Sequence, residues 1–125
     1  MKVKCIRLLD TAGLETEHSS WLSLGCVYHL LSMFIDATNK RSYGVVSHEQ
    51  EGEWPNIESH PSECFEIVST VIPTNWRLWL SDTSDVGVSP LAWQELTFIE
   101  RFFERDPSVY PIYVRERDVI AAEDP

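Results

Sequence analysis

Several short runs of this chain alternate apolar and polar side chains, the pattern of strands with one buried face. We expect strands over residues 3–8, 25–35, 43–47, 65–69 and 77–80. Residues 36–42 have turn composition, so the second and third runs are predicted to pair as an antiparallel hairpin. A second turn at Pro73-Thr74-Asn75 separates the last two runs.

A helical pattern replaces this alternation after Pro90. Ser89 is a favourable N-cap residue and proline is tolerated at the first helical position, so we expect a helix from Leu91 to about Arg105. Its apolar stripe is predicted to contain Phe98, Ile99, Phe102 and Phe103. The Asp106-Pro107 pair should end this helix, because the residue before a proline is disfavoured in helical dihedrals.

The C-terminal part is predicted to be extended. Tyr110, Ile112 and Val114 alternate with polar residues, which indicates a last strand or arm over residues 109–116. We predict an α+β fold: a bent antiparallel sheet of about five to six strands with one principal C-terminal helix packed on it. At 125 residues the chain fits one domain, which we expect over residues 1–118, followed by a loose acidic tail at 119–125.

Charge and composition favour some partners over others. Twenty acidic residues against ten basic ones give a net charge of -10, which disfavours nucleic acid and anionic lipid and favours a cationic protein. The N-terminus lacks the apolar core of a signal peptide, and the longest apolar run is shorter than the ~20 residues that span a bilayer. Three cysteines indicate reduced thiols, so we expect a cytoplasmic protein without a membrane-bound part.

An acidic segment is the strongest candidate for partner binding. Residues 48–63 carry five glutamates, two prolines and no sustained period, which predicts a long surface loop pinned to the core by Trp54. Such charge runs usually only solvate a surface, but glutamates around an aromatic residue also suit a basic partner. The predicted partner-binding residues are Glu49, Glu51, Glu53, Trp54, Glu58, Glu63, Asp82 and Asp85.

Residues able to support catalysis are present but carry no recognisable signature. Cys26, His29, His60 and Cys64 include zinc-ligand types, yet residues three apart on a strand point to opposite faces. The chain has no Gly-x-Ser-x-Gly motif and no phosphate-binding glycine loop. We therefore expect no catalytic residue, no metal and no cofactor, and a binding function without enzymatic activity.

Four segments carry a family resemblance: Phe65-Glu66-Ile67-Val68, Ile72-Pro73-Thr74-Asn75-Trp76, Pro90-Leu91-Ala92-Trp93 and residues 98–106. With a weaker match at Gly25 and Tyr28, the chain resembles small bacterial proteins that look like immunity proteins of polymorphic toxin systems. The resemblance covers the second half of the chain and rests on packing residues. It implies a shared fold and assigns no binding residue.

The resemblance implies a stoichiometric mechanism, in which the domain binds a cognate protein toxin and blocks its active site or an adjacent surface. The acidic balance agrees with a basic toxin. The alternative is a small regulatory or adaptor domain that binds a peptide or subunit along an exposed sheet edge.

Overall fold

The computed structural model describes residues 1–48 and 52–125 and has an α+β fold, which confirms the predicted class. Two α-helices and two short 3-10 helices, at Ser62–Cys64 and Leu91–Gln94, accompany the strands. The strands are β1 (Lys2–Cys5), β2 (Val27–His29), β3 (Ser32–Ile35), β4 (Arg41–His48), β5 (Asn56–Pro61), β6 (Phe65–Ser69), β7 (Trp76–Leu80) and β8 (Val86–Pro90). The helices are α1 (Phe98–Phe103) and α2 (Tyr110–Glu123).

The strands form two antiparallel sheets instead of one bent sheet. The smaller sheet has the order β2-β1-β6 and the larger has the order β5-β4-β3-β8-β7. Rings from the two sheets pack against each other, since Tyr43 of β4 lies 5.9 Å from Phe65 of β6 between ring centroids. Each sheet contributes fully buried residues to one core, including Val3 and Val45.

The predicted single strand over residues 25–35 is wrong, because the chain changes sheets in its middle. Leu30 and Leu31 lie between β2 and β3 and are both buried. Their backbone amides bond in different directions: Leu30 N–H donates to the Met1 carbonyl at 3.0 Å, and Leu31 N–H donates to the Gly44 carbonyl at 2.9 Å. This crossing joins the two sheets. The predicted hairpin is confirmed, since Ile35 pairs with Arg41 across the 36–40 turn.

The predicted long loop over residues 48–63 is wrong in its second half. Residues 56–61 form β5, which pairs with β4 from Asn56–His48 to Pro61–Ser42. The register shifts between Val46 and His48, so a β-bulge lies at the start of this ladder. The prolines that argued against a strand, Pro55 and Pro61, stand just before it and at its last residue, where their missing N–H groups are tolerated.

The predicted long helix from Pro90 is also wrong. Pro90 ends strand β8, Leu91–Gln94 form a 3-10 helix without a side-chain cap, and α1 contains only Phe98–Phe103. Of its predicted apolar stripe, Phe98 and Phe102 are buried, whereas Ile99 and Phe103 are exposed. The helix does end before Asp106-Pro107, as predicted.

The principal helix is α2, in the region predicted to be an extended arm and a loose tail. Pro111 stands in its first turn, where proline is tolerated, and Tyr113 and Ile120, seven residues apart, are fully buried. The end of α2 and the residue after it are held in place: Glu123 accepts the Thr74 backbone N–H at 2.8 Å, and Asp124 Oδ2 lies 3.2 Å from the Met1 ammonium nitrogen. No helix of the described residues has the length and apolar character needed to cross a membrane.

Candidate protein-binding surface

The acidic residues predicted to bind a partner lie at two different edges of the five-stranded sheet. Glu53 is exposed just before β5, Glu58 is half-buried on β5, and Glu63 is exposed in the 3-10 helix that follows. Asp82 and Asp85 lie in the turn between β7 and β8, beyond the other end of the strand order. Glu49 and Glu51 lie outside the described residues. The structure therefore does not gather this set into one patch.

Trp54 is built into the core, as predicted for a residue that pins the acidic segment. Its ring centroid lies 5.2 Å from that of Phe102 in α1 and 5.4 Å from that of Tyr110 in α2. The side chain is half-buried between these rings. Glu53 and Trp54 line a shallow cleft together with Pro107, Tyr110 and Pro111. Trp54 therefore presents only part of its indole to a partner.

The Asp85 carboxylate accepts two hydrogen bonds that stabilise the β7–β8 turn. Its Oδ1 accepts the Ala37 backbone N–H at 3.2 Å, and its Oδ2 accepts the Thr83 hydroxyl at 3.1 Å. The first bond joins the β7–β8 turn to the β3–β4 turn, and the second lies within the β7–β8 turn. Asp82 beside it is exposed. Hydrogen bonding lowers the pKa of Asp36 in the neighbouring turn, first through the Thr38 hydroxyl and then through the Lys40 amide.

An apolar groove of about 600 Å³ opens on the face of the five-stranded sheet that carries Phe34 and Trp79. Strands β3, β5, β7 and β8 contribute to it, and the segment that connects the second 3-10 helix to α1 forms its opposite wall. The apolar side chains that line it on this face are Phe34, Ile57, Trp79, Trp93, Leu96 and Ile99. A groove of this size and lining suits side chains of another molecule.

The aromatic floor of this groove depends on a glycine. Phe34, Gly87 and Trp79 are direct cross-strand neighbours on β3, β8 and β7. A side chain at position 87 would collide with the Trp79 ring, which therefore lies across the glycine and reaches to 6.4 Å from Phe34 between centroids. Trp79 thus fills the space above Gly87, where other residues would have a side chain, and its ring forms part of the groove surface.

The apolar side chains on the outer wall of the groove are largely exposed to solvent. Leu96 is 96% exposed and Ile99 is 50% exposed. Two carboxylates, Glu95 and Asp85, line the same groove, whereas the lining contains no lysine or arginine among the described residues. An exposed apolar anchor beside acidic groups is the composition of a surface for a cationic protein.

Sequence reasoning missed most of this groove because it placed Ile99 on a buried helical stripe and sought binding residues in the acidic segment and the Asp82–Asp85 turn. Of the predicted binding residues that the structure describes, Asp85 alone lines it. One signal was available in β7: Trp76, Leu78, Trp79 and Leu80 make this strand apolar on both faces, unlike a strand with one solvated face.

The four histidine and cysteine candidates have different surroundings: Cys64 is buried, Cys26 is exposed, and the two histidines are half-buried. His29 Nε2 lies 2.7 Å from the Asp124 carbonyl oxygen, and the His60 ring packs edge-on at 6.1 Å from Phe65. Burial lowers the pKa of His60. Burial also raises the pKa of the Cys5 and Cys64 thiols, and a raised thiol pKa disfavours the reactive thiolate. Within residues 1–48 and 52–125, no group of three or more His, Cys, Asp or Glu side chains is placed to hold a metal ion.

Comparisons of the chain with protein-family models, curated proteins and solved structures found no match. The resemblance to immunity proteins therefore stays a prediction from the sequence.

Proposed function

We propose that this chain is a non-enzymatic binding protein, an immunity protein that neutralises a cognate bacterial toxin by stoichiometric binding through an acidic surface. The observation that carries the proposal is the groove between the five-stranded sheet and the Leu96–Ile99 segment. Its apolar lining is open to solvent, and its charged lining residues, Glu95 and Asp85, are acidic.

In this proposal the apolar groove residues supply binding free energy, whereas the acidic residues raise the association rate. Leu96, Ile99 and the half-buried Trp79 provide apolar area that loses water when a partner covers it, which is the main source of binding free energy. Glu95 and the β5-edge residues Glu53 and Glu58 attract a basic surface and raise its association rate. Because the toxin is blocked by occupation, no turnover is required.

The experiment starts with a tagged protein used to capture partners from its host lysate, with washes at low and at high salt. We expect one basic protein at one-to-one stoichiometry that is weakened by salt, arrests growth when expressed alone and is tolerated when co-expressed with this chain. A captured protein without toxicity would contradict the immunity function, and capture of no protein would contradict partner binding.

Two variants connect this test to the groove. Leu96→Arg places a charge on the most exposed apolar residue of the wall and should abolish growth rescue. Leu14→Arg is the matched control, because Leu14 is also exposed and lies outside the groove lining. Equal rescue by both variants would place the binding surface elsewhere.

A second candidate function is an adaptor that binds an extended peptide at a sheet edge. One observation favours it: β7 ends the strand order of its sheet among the described residues, and it is apolar on both faces. A captured partner that binds through a linear segment and has no toxicity would support this candidate.

A further inference from the structure

Strand β7 presents an unpaired edge with backbone groups available for pairing. On its inner side it pairs with β8, with Trp76 opposite Pro90 and Leu80 opposite Val86. Pro90 has no N–H group, and Ser81 N–H donates to the Asp85 carbonyl at 3.0 Å, so positions 77, 79 and 81 face β8 in the alternating antiparallel pattern. The N–H and C=O groups of Leu78 and Leu80 therefore point outward, where the described chain places no further strand.

The side chains along this edge are apolar and exposed. Leu78 is 65% exposed and Leu80 is 74% exposed. The strand registers align Leu80 with Val86 and Ile35, and Leu78 with Val88 and Met33, so two aliphatic rows cross β3, β8 and β7 on one face. Both rows stop at the open edge. Natural edge strands usually carry charge, proline or a bulge that prevents such a contact.

We propose that two copies of the chain pair antiparallel through β7 and join their sheets into one ten-stranded sheet. A two-fold axis at Trp79 places Leu78 of each copy opposite Leu80 of the other. In that register the outward groups of Leu78 and Leu80 form four hydrogen bonds, because both residues have their unused N–H and C=O groups on the pairing side. The aliphatic rows then continue from one copy into the next.

Local charge favours a second copy over a strongly cationic partner at this edge. The two turns beside one end of β7 hold Asp36, Lys40, Asp82 and Asp85, Arg41 follows Lys40 at the start of β4, and Arg77 lies toward the other end of β7. These three acidic and three basic side chains are equal in number, although the whole chain has a net charge of -10. The proposed register places Arg77 of one copy opposite Ser81 of the other, next in sequence to Asp82.

The pairing has a consequence for the groove. Trp79 lines the groove and lies at the proposed axis. Since the axis is perpendicular to the joined sheet, both grooves open on the same face, one on either side of it. The dimer thus presents two binding sites on one face, while the β5 strands, each carrying Glu58, lie at its two outer edges.

The test is the mass of the isolated protein in solution, measured by sedimentation equilibrium from low micromolar to several hundred micromolar. We expect the wild type to reach twice the chain mass of 14.4 kDa. Leu80→Lys should raise the dimer dissociation constant more than about tenfold, since the two-fold interface carries the substitution twice. Leu14→Lys changes an equally exposed leucine away from β7 and should remain dimeric.

Leu80→Pro and a mixed-label NMR sample test the register. Proline removes an outward N–H that β8 does not use, so the fold should persist while the dimer dissociates. In a dimer of differently labelled copies, the methyl groups of Leu78 should show contacts to those of Leu80 in the other copy. A wild type that stays at 14.4 kDa, a dimer insensitive to Leu80→Lys, or a dimer without these contacts would overturn the proposal.

Discussion

The two edge strands of the five-stranded sheet, β5 and β7, differ in regularity and in the side chains that they expose to solvent. The β5 edge carries Glu58, ends in Pro61 and begins beside a bulge in its ladder with β4. The β7 edge is regular and exposes Leu78 and Leu80. The first edge has the features that keep strands from pairing with other chains, whereas the second lacks all but one of them, the charge of Arg77.

This difference separates two kinds of interaction in one small domain. Acidic groups near β5 act at a distance, because charge steers a basic partner before contact. Apolar groups and open backbone groups at β7 act only on contact, because they gain free energy when water leaves. The groove lies between these edges and takes residues from both β5 and β7. The predictions below alter one side at a time.

The largest stability effect is expected where the chain enters β5. Trp54→Ala should destabilise the fold by about 3 kcal/mol, because the indole fills the space between Phe102 and Tyr110. Chemical denaturation measures this change, and Trp54→Phe should retain most of the stability. Wild-type stability for Trp54→Ala would mean that this ring serves only a partner.

A smaller loss is expected on the β7 side. Gly87→Ala should destabilise the fold by about 2 kcal/mol and weaken the dimer, because the new methyl group meets the Trp79 ring and lies 2.8 Å from the rigid Met33 carbonyl oxygen. Gly44→Ala is the matched control, because its methyl group meets chiefly the Ser32 hydroxyl, which can rotate away. Equal losses for both variants would show that Trp79 packing does not organise this edge.

Charge reversal near β5 should change association more than stability. Glu53→Lys with Glu58→Lys should slow binding of the captured toxin by about tenfold at low salt and flatten its salt dependence. The free energy of unfolding should stay within about 0.5 kcal/mol, as is usual for surface substitutions. Glu15→Lys with Glu17→Lys makes the same charge change on exposed residues elsewhere. Association rates across a salt series compare the two pairs.

The smallest effect concerns the pH dependence of stability at β5. Burial lowers the pKa of His60, so the folded state favours the neutral imidazole. Its contribution is complete above the ordinary histidine pKa of about 6.5 and is lost as the pH falls below it. Denaturation at pH 7.5 and 5.5 should therefore show a smaller acid-induced loss for His60→Gln than for the wild type. An unchanged loss would assign this pH dependence to other groups.

Local patterns predicted the elements that depend on neighbouring residues. Turn composition between two β-rich runs was sufficient for the β3–β4 hairpin, and alternation was sufficient for β6, whereas β7 was found as an apolar run after the Pro73-Thr74-Asn75 turn. The α+β class followed from these runs and one helical stripe. The helix ends before Asp106-Pro107 as predicted, but the chain already leaves it at Arg105, whose φ of 58° lies in the left-handed region.

The errors occurred where distant contacts decide the structure. Residues 110–114 alternate like a strand, but Tyr113 packs on Trp93 and Phe102, with ring centroids 5.7 Å and 5.2 Å away, and the segment is helical. Strand β5 is mostly polar, follows Pro55 and ends in Pro61, and it is specified by its pairing with β4. The groove was missed for the same reason, since its walls come from segments far apart in sequence.

Amide hydrogen exchange of the protein, measured free and bound to the captured toxin, shows which surface the toxin covers. We expect the toxin to slow exchange in β5 and across residues 93–99, with little change in the β2-β1-β6 sheet. Protection confined to β2, β1 and β6, with the groove residues exchanging as in the free protein, would contradict it.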